Sequence, residues 1–271
     1  MSGKVYLVGA GPGDPELLTI KALRLLRSVD VVLHDELVSD EILNLIPSRT
    51  RKLNVGKRCG EKKISQEEIS FLMVALAESG LQVVRLKSGD PLIFGRAGEE
   101  IASLRHANIA HEIVPGITSA LGAAASAGIP LTHRFVSSAV VLLTGHHASE
   151  NETADWDALA ATGATLVIYM PGHNYLETAT KLKEAGIAPE TPCAIISQAT
   201  TSLQRKFVTT ISELDRAPHL PAPNLLIVGE TVRFARANVR TGDGLPQEPA
   251  MPLALVDEFG AEIAPTTEPL A

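Results

Sequence analysis

Residues 4–15, K-V-Y-L-V-G-A-G-P-G-D-P, run from a β-rich apolar segment into a turn of three glycines and two prolines. An amphipathic stretch, Glu16–Arg27, follows at once. Strand, glycine turn and helix in that order open an α/β unit. The turn does not fit the usual dinucleotide cradle. G-x-G-x-x-G would need a glycine or alanine where Asp14 stands, and Pro12 and Pro15 each remove a backbone N–H that a pyrophosphate would use. Asp14 would also repel the phosphates. No G-x-x-x-x-G-K-[ST] occurs, so a P-loop is absent as well.

Working outward, the alternation repeats. Lys4–Val8, Val29–Leu33, Arg51–Val55, Gln82–Leu86 and Ala110–Val114 read as strands. Between them lie helical segments near Glu16–Arg27, Asp40–Leu45, Ser65–Ser79 and Gly98–His106, and Ser65 with Glu68 forms a capping box. Strands alternating with helices predict a mostly parallel sheet. After Pro130 the pattern changes. Ala139–Leu143, Thr165–Tyr169, Cys193–Ser197, Arg205–Thr209 and Leu225–Val228 read as strands. The link from Ile195 to Val208 is too short for a helical crossover, so an antiparallel pair and a mixed second sheet are expected. The chain therefore divides into an α/β domain at 1–134, a second at 135–240, and a tail at 241–271.

The tail carries Asp243, Glu248, Asp257, Glu258, Glu262 and Glu268, no Lys or Arg, and five of the 17 prolines. It reads as a poorly ordered extension. Removing its six charges from the net −7 leaves −1 for residues 1–240. A near-neutral body in a chain with only ten aromatics is a poor nucleic-acid binder, because phosphate neutralisation and base stacking both lack residues. Cys59 and Cys193 form no CxxC pair, which suits a reducing compartment. The apolar run after Lys4 is too short for a secretory segment, and the uncharged stretch 113–132 is broken by glycine and proline. A cytoplasmic protein with no membrane association is expected. His146 and His147 adjoin a strand end without a third ligand at suitable spacing, so no metal is expected. G-x-S-x-G is absent.

The chemistry-bearing residues cluster at strand ends. Strand two ends at His34-Asp35-Glu36, strand three at Gly56-Lys57-Arg58, strand four at Ser88-Gly89-Asp90-Pro91 before Phe94-Gly95-Arg96, and strand five at Pro115-Gly116-Ile117-Thr118-Ser119. Each alone is an ordinary loop. In a parallel sheet all of them fall along one edge, where ligands bind.

These residues resemble the uroporphyrinogen-III C-methyltransferases of the tetrapyrrole methyltransferase family. The likeness is carried by V-G-A-G-P-G-D-P-E-L-L-T (8–19), V-V-L-H-D-E-L-V (31–38), V-G-K-R (55–58), R-L-K-S-G-D-P-L-I-F-G-R (85–96), P-G-I-T-S-A (115–120) and A-G-I-P-L-T-H-R (127–134). It continues through T-G-H (144–146), T-L-V-I-Y-M (165–170) and L-I-V-G-E (226–230), so only the tail lies outside it. The sequence departs at Ser88, Leu92 and Ala97, where the family carries Gly, Phe and Gly, and at Pro171, where Gly is common.

The resemblance implies a two-domain fold with the active site in the inter-domain cleft, and a homodimer. It implies S-adenosylmethionine as methyl donor, S-adenosylhomocysteine as product, and a small-molecule tetrapyrrole as substrate. The reaction it implies is methylation of uroporphyrinogen III at C-2 and C-7 to precorrin-2, for siroheme, cobalamin or a related tetrapyrrole. Carried over by position, the cofactor contacts are Pro12, Ser88, Gly89, Asp90, Ile93, Thr118, Ser119, Met170 and Ala199. Asp35 is the proton acceptor and Lys57 the proton donor. Arg96 and Arg134 are expected to clamp substrate carboxylates, with Glu99 receiving a pyrrole N–H or orienting Arg96.

Two relatives on the same fold are the nearest alternatives. A ribosomal-RNA methyltransferase would want a basic surface. A later precorrin methyltransferase is separated only by the full motif set, V-G-K-R with A-G-I-P-L-T-H-R above all. A non-catalytic tetrapyrrole or nucleotide carrier is the alternative of another class.

Overall fold

The computed structural model describes residues 2–56, 64–145, 155–172 and 175–235. The expectations placed on Lys57, Arg58, Cys59, His146, His147 and the 241–271 tail lie outside them. Residues 1–236 form one compact unit.

The first sheet is built from β1 (Lys4–Gly9), β2 (Val31–His34), β3 (Arg51–Asn54), β4 (Val83–Lys87) and β5 (Ala110–Val114). It is wholly parallel in the order β3-β2-β4-β1-β5. Helices cover both faces, so the inner strands are apolar rather than alternating. Val5, Leu7, Val31, Leu33 and Val83 meet Ile69, Met73 and Ala77 of α3 (Gln66–Glu78) and Ile101 and Leu104 of α4 (Ala97–His106). On the opposite face Val8, Val32, Val84 and Leu86 pack on α1 (Ile20–Leu26) and on Ile42 of α2 (Asp40–Leu43). The capping box at Ser65 is present, with Glu68 N donating to Ser65 Oγ at 3.1 Å and Ser65 N donating to Glu68 Oε2 at 2.6 Å.

The helix expected over 16–27 forms in two pieces. Asp14 accepts from Glu16 N at 2.8 Å and starts one 3-10 turn, Pro15–Leu17. Thr19 Oγ1 accepts from Ala22 N at 3.1 Å and starts α1 afresh. Two capping side chains five residues apart therefore divide what hydropathy alone joins.

The second sheet comprises β6 (Val140–Thr144), β7 (Thr165–Tyr169), β8 (Pro192–Ser197), β9 (Arg205–Thr210) and β10 (Asn224–Val228) in the order β6-β7-β10-β8-β9. Only β6 and β7 are parallel; β8 and β9 pair antiparallel, as the short link between them requires. One face packs on α7 (Tyr175–Glu184) and the turn at Ile211–Arg216, and α6 (Trp156–Ala161) adds Trp156 at its margin.

The other face receives α5 (Ser119–Ala127), which follows directly from the first sheet. Ala120, Ala123, Ala124 and Ala127 lie against Val167, Ala194, Ile196, Leu225 and Ile227. Small side chains let this helix approach the sheet closely, which accounts for the alanine run at 120–127. Cys193 is fully buried in the second sheet, and burial pushes its thiol up to about 12, so it is unreactive at neutral pH. Among the described residues no helix is long and apolar enough to cross a membrane, and no group of His, Cys, Asp and Glu is arranged to hold a metal.

Candidate functional site

Three turns at the carboxyl edge of the first sheet meet backbone to backbone. Gly11 N donates to Gly89 O at 3.1 Å and Gly89 N to Gly11 O at 2.8 Å, which joins the turn after β1 to the turn after β4. The turn after β5 closes on both. A Cβ at Gly116 would lie 2.3 Å from Gly89 O, and one at Gly9 would lie 2.5 Å from Gly116 N. Only glycine permits this approach. Asp90 completes the junction, with Oδ2 accepting from Gly116 N at 3.0 Å and Oδ1 from Leu92 N at 2.8 Å. Its carboxylate thus organises two turns, and Asp90 also lines the cleft beside them.

The second sheet supplies the opposite wall. Asp14 N donates to Thr200 Oγ1 at 3.1 Å, tying the first glycine turn to the loop after β8. Tyr169, at the end of β7, reaches the start of α5. Its Oη accepts from Ala120 N at 3.1 Å and is hydrogen-bonded to Thr118 Oγ1 at 2.5 Å. Burial holds the Tyr169 phenol above its usual pKa, so it stays neutral. Tyr169→Phe leaves a buried N–H and hydroxyl without their partner. It is expected to cost about 1–3 kcal/mol, read as a lower urea midpoint with unchanged m-value.

Between these walls lies a cleft of about 650 Å³. Pro12, Ser88, Gly89, Asp90, Ile93, Thr118, Ser119, Met170 and Ala199, all expected at a cofactor site, line it, and so does Asp35. Thus positions up to 187 residues apart in the chain converge on one cavity. Phe94, Met170 and Gln198, also in the lining, adopt left-handed backbone with φ of 50°, 49° and 47°. Such strain in non-glycine residues clusters at functional sites.

Arg96, Glu99 and Arg134, expected to meet the substrate, are not among the residues that line this cleft. Arg96 follows the lining residue Gly95 but turns its guanidinium onto Glu99, with Nε–Oε1 at 2.8 Å and Nη2–Oε2 at 2.7 Å. Both side chains are about half exposed, and the mutual bond raises the pKa of Arg96 and lowers that of Glu99. Of the two roles weighed for Glu99, the structure shows contact with Arg96. Arg134 is exposed and lies over the Phe135 ring at 5.6 Å.

Sequence reasoning passed over the groups behind Asp35. Arg85 Nη2 donates to Asp35 Oδ1 at 2.5 Å, and Arg85 Nε donates to Glu100 Oε1 at 3.0 Å. Lys87, which lines the cleft, donates to the same Glu100 oxygen at 3.1 Å. Burial, then the neighbouring Arg85, holds the Lys87 ammonium below the usual lysine range. The available signal was two cations in V-V-R-L-K, a strand otherwise apolar throughout and central to a parallel sheet.

Residues 4–215 match the family model of the tetrapyrrole (corrin/porphyrin) methylases. A uroporphyrinogen-III C-methyltransferase of Paracoccus denitrificans is 47% identical over 251 residues, covering 91% of this chain and 85% of that protein. A siroheme synthase of Psychromonas ingrahamii is 47% identical over 234 residues, covering 86% of this chain and 50% of its own length. The chain thus spans about half the length of the siroheme synthases it matches. The crystal structure of a Thermus thermophilus uroporphyrin-III C-methyltransferase complexed with S-adenosylhomocysteine superposes with a TM-score of 0.75 at 39% identity. It covers 85% of this chain and 99% of that one.

Proposed function

The chain belongs to the tetrapyrrole (corrin/porphyrin) methylase family, and from that premise we propose that it is an S-adenosylmethionine-dependent C-methyltransferase of uroporphyrinogen III. Transfer at C-2 and C-7 would give precorrin-2, feeding siroheme, cobalamin or a related tetrapyrrole. The observation that carries the reading is the cleft itself. The three-turn junction and the second sheet form a cavity of about 650 Å³ lined by every residue assigned to the cofactor.

The residues suit the donor. Ile93 and Met170 offer apolar contact for an adenine. Asp90, Thr118 and Ser119 offer acceptors and donors for ribose hydroxyls and the amino-acid end. S-adenosylmethionine supplies the methyl group and leaves as a neutral thioether. The protein's task is then alignment of donor and acceptor at near-attack distance, with water kept out by the walls of the cleft. Asp35 takes the proton released as the methylated pyrrole readjusts. Lys57 is its partner as proton donor in this reading, Arg96 and Arg134 clamp the substrate's acetate or propionate groups from outside the cleft lining, and Glu99 orients Arg96, with which it is paired.

The reading extends to two domains divided at 134/135, with a small-molecule substrate and no nucleic-acid or membrane partner. It also includes a cytoplasmic location and a homodimer; the dimer is supported by the exposed Phe135 and Val136 ahead of the edge strand β6 and by Val140 at its start. The test is anaerobic incubation with S-adenosylmethionine and uroporphyrinogen III. Two equivalents of S-adenosylhomocysteine per macrocycle are expected. None would leave a carrier, and a single equivalent would point to a different precorrin step or an arrested second transfer.

A further inference from the structure

β4 is covered on both faces, yet its carboxyl half is ionic on one of them. Val83, Arg85 and Lys87 alternate onto the face covered by α3 and α4; Val83 joins the apolar cluster there, while the next two positions are cations. Both are almost wholly buried, at 1% and 3% exposure, and Glu100 from α4 is at 0%. A single carboxylate oxygen, Glu100 Oε1, accepts from Arg85 Nε at 3.0 Å, Lys87 Nζ at 3.1 Å and Gln66 Nε2 at 3.0 Å. Its other oxygen, Oε2, is buried without a hydrogen-bond partner. An anion kept only to neutralise two cations would gain by sharing them between its oxygens. Concentrating three donors on one oxygen instead fixes where the guanidinium of Arg85 points.

We propose that Glu100 is a positioning residue that acts through Arg85 to hold the Asp35 carboxylate at the cleft. The inference rests on the reading of Asp35 as the group that meets the substrate. The guanidinium is rigid and planar. With Nε anchored on Glu100, its Nη2 is directed at Asp35 Oδ1, 2.5 Å away. Asp35 itself sits in the loop after β2; Leu86 and Val38 hold its backbone, while its carboxylate is 30% exposed and is met by Arg85. The brace therefore transmits the rigidity of β4 and α4 to a carboxylate carried by a turn. Lys87 and Gln66 complete the coordination of Glu100 and keep it from rotating towards Arg85 alone.

The test uses two substitutions in the full chain. Glu100→Gln keeps the shape and removes the charge that anchors two cations. Arg85→Lys keeps every charge but replaces the fork with a single ammonium that does not span both carboxylates. Each folded variant is assayed for kcat, for KM towards both substrates, and for S-adenosylhomocysteine affinity by calorimetry. The brace predicts that kcat falls by about 10- to 100-fold in both, while each KM and the product affinity stay within about threefold. A merely structural role would move the melting temperature and leave the kcat of the folded enzyme alone. Should Glu100→Gln not fold, Arg85→Lys decides by the same readout. Parent-like kcat in the folded variants, or a loss confined to KM, overturns the brace while the parent's turnover upholds the proposed activity. A parent without turnover overturns both.

Discussion

Asp35→Asn is expected to reduce turnover by about 10²- to 10⁴-fold while the protein still binds S-adenosylhomocysteine. The amide fills the space of the carboxylate and still offers an oxygen to Arg85, so the cleft keeps its shape. What it loses is the capacity, in the proposed mechanism, to take up a proton from the methylated macrocycle. Asp35 is not among the groups that join the three turns, and so the cofactor wall stands without its charge. Stability falls as well, because Arg85 is then left with only Glu100 as a charged partner. That loss stays below the about 3–5 kcal/mol of a fully buried broken pair, since the Asp35 side chain keeps 30% exposure to water. Activity and product affinity therefore separate in this variant. Parallel loss of both would remove Asp35 from the proton step and make it part of the cofactor wall.

Gly116→Ala is expected to do the reverse and damage binding first. Its Cβ would meet Gly89 O at 2.3 Å and Gly9 Cα at 2.8 Å, all backbone atoms of the other two turns. No rotamer change relieves such a contact, so the turns must separate, at a cost of about 1–3 kcal/mol or more. Separation also pulls Gly116 N from Asp90 Oδ2, and the residues assigned to the cofactor lose their common frame. Gly98→Ala is the control. That position lies in α4 with nothing within 4 Å of the added methyl, and alanine there is expected to stabilise by about 0.4–1 kcal/mol. Urea unfolding and product calorimetry on the pair read both effects. Equal behaviour of the two variants would mean that the turns do not depend on close backbone approach.

The strands were legible because burial on both faces leaves unmistakable runs such as V-V-L-H and T-L-V-I-Y. The antiparallel β8–β9 pair followed from loop length alone. The site was legible only in part. Glycine turns at successive strand ends mark an edge, and parallel topology brings them together, so the edge that borders the cleft is readable from the sequence, while the residues assigned to the cofactor come from the family resemblance. Interactions between elements are another matter. Nothing in the spacing of Asp35, Arg85 and Glu100 shows that they touch, because each sits on a different element and the contacts are set by how α4 packs over β4. Arg96 and Glu99 show the opposite case. Arg96 at the start of α4 and Glu99 in its first turn pair with each other, a local contact that their three-residue spacing already offers and that matches one of the two roles expected of Glu99. The division of the 16–27 helix was also written in Asp14 and Thr19, but hydropathy is continuous there and conceals it.

Cofactor binding in the cleft between the two sheets is the claim on which the rest depends, and Met170 tests it most directly. Its side chain is 49% exposed in the cleft lining and its φ is 49°, a left-handed conformation that aspartate tolerates well. Met170→Asp should therefore fold like the parent while placing a charge where an adenine would rest. Titration calorimetry with S-adenosylhomocysteine is expected to show saturable binding to the parent and affinity weakened at least about tenfold, or about 1.4 kcal/mol, in the variant. Parent-like affinity in Met170→Asp, or no binding by the parent at all, would contradict it.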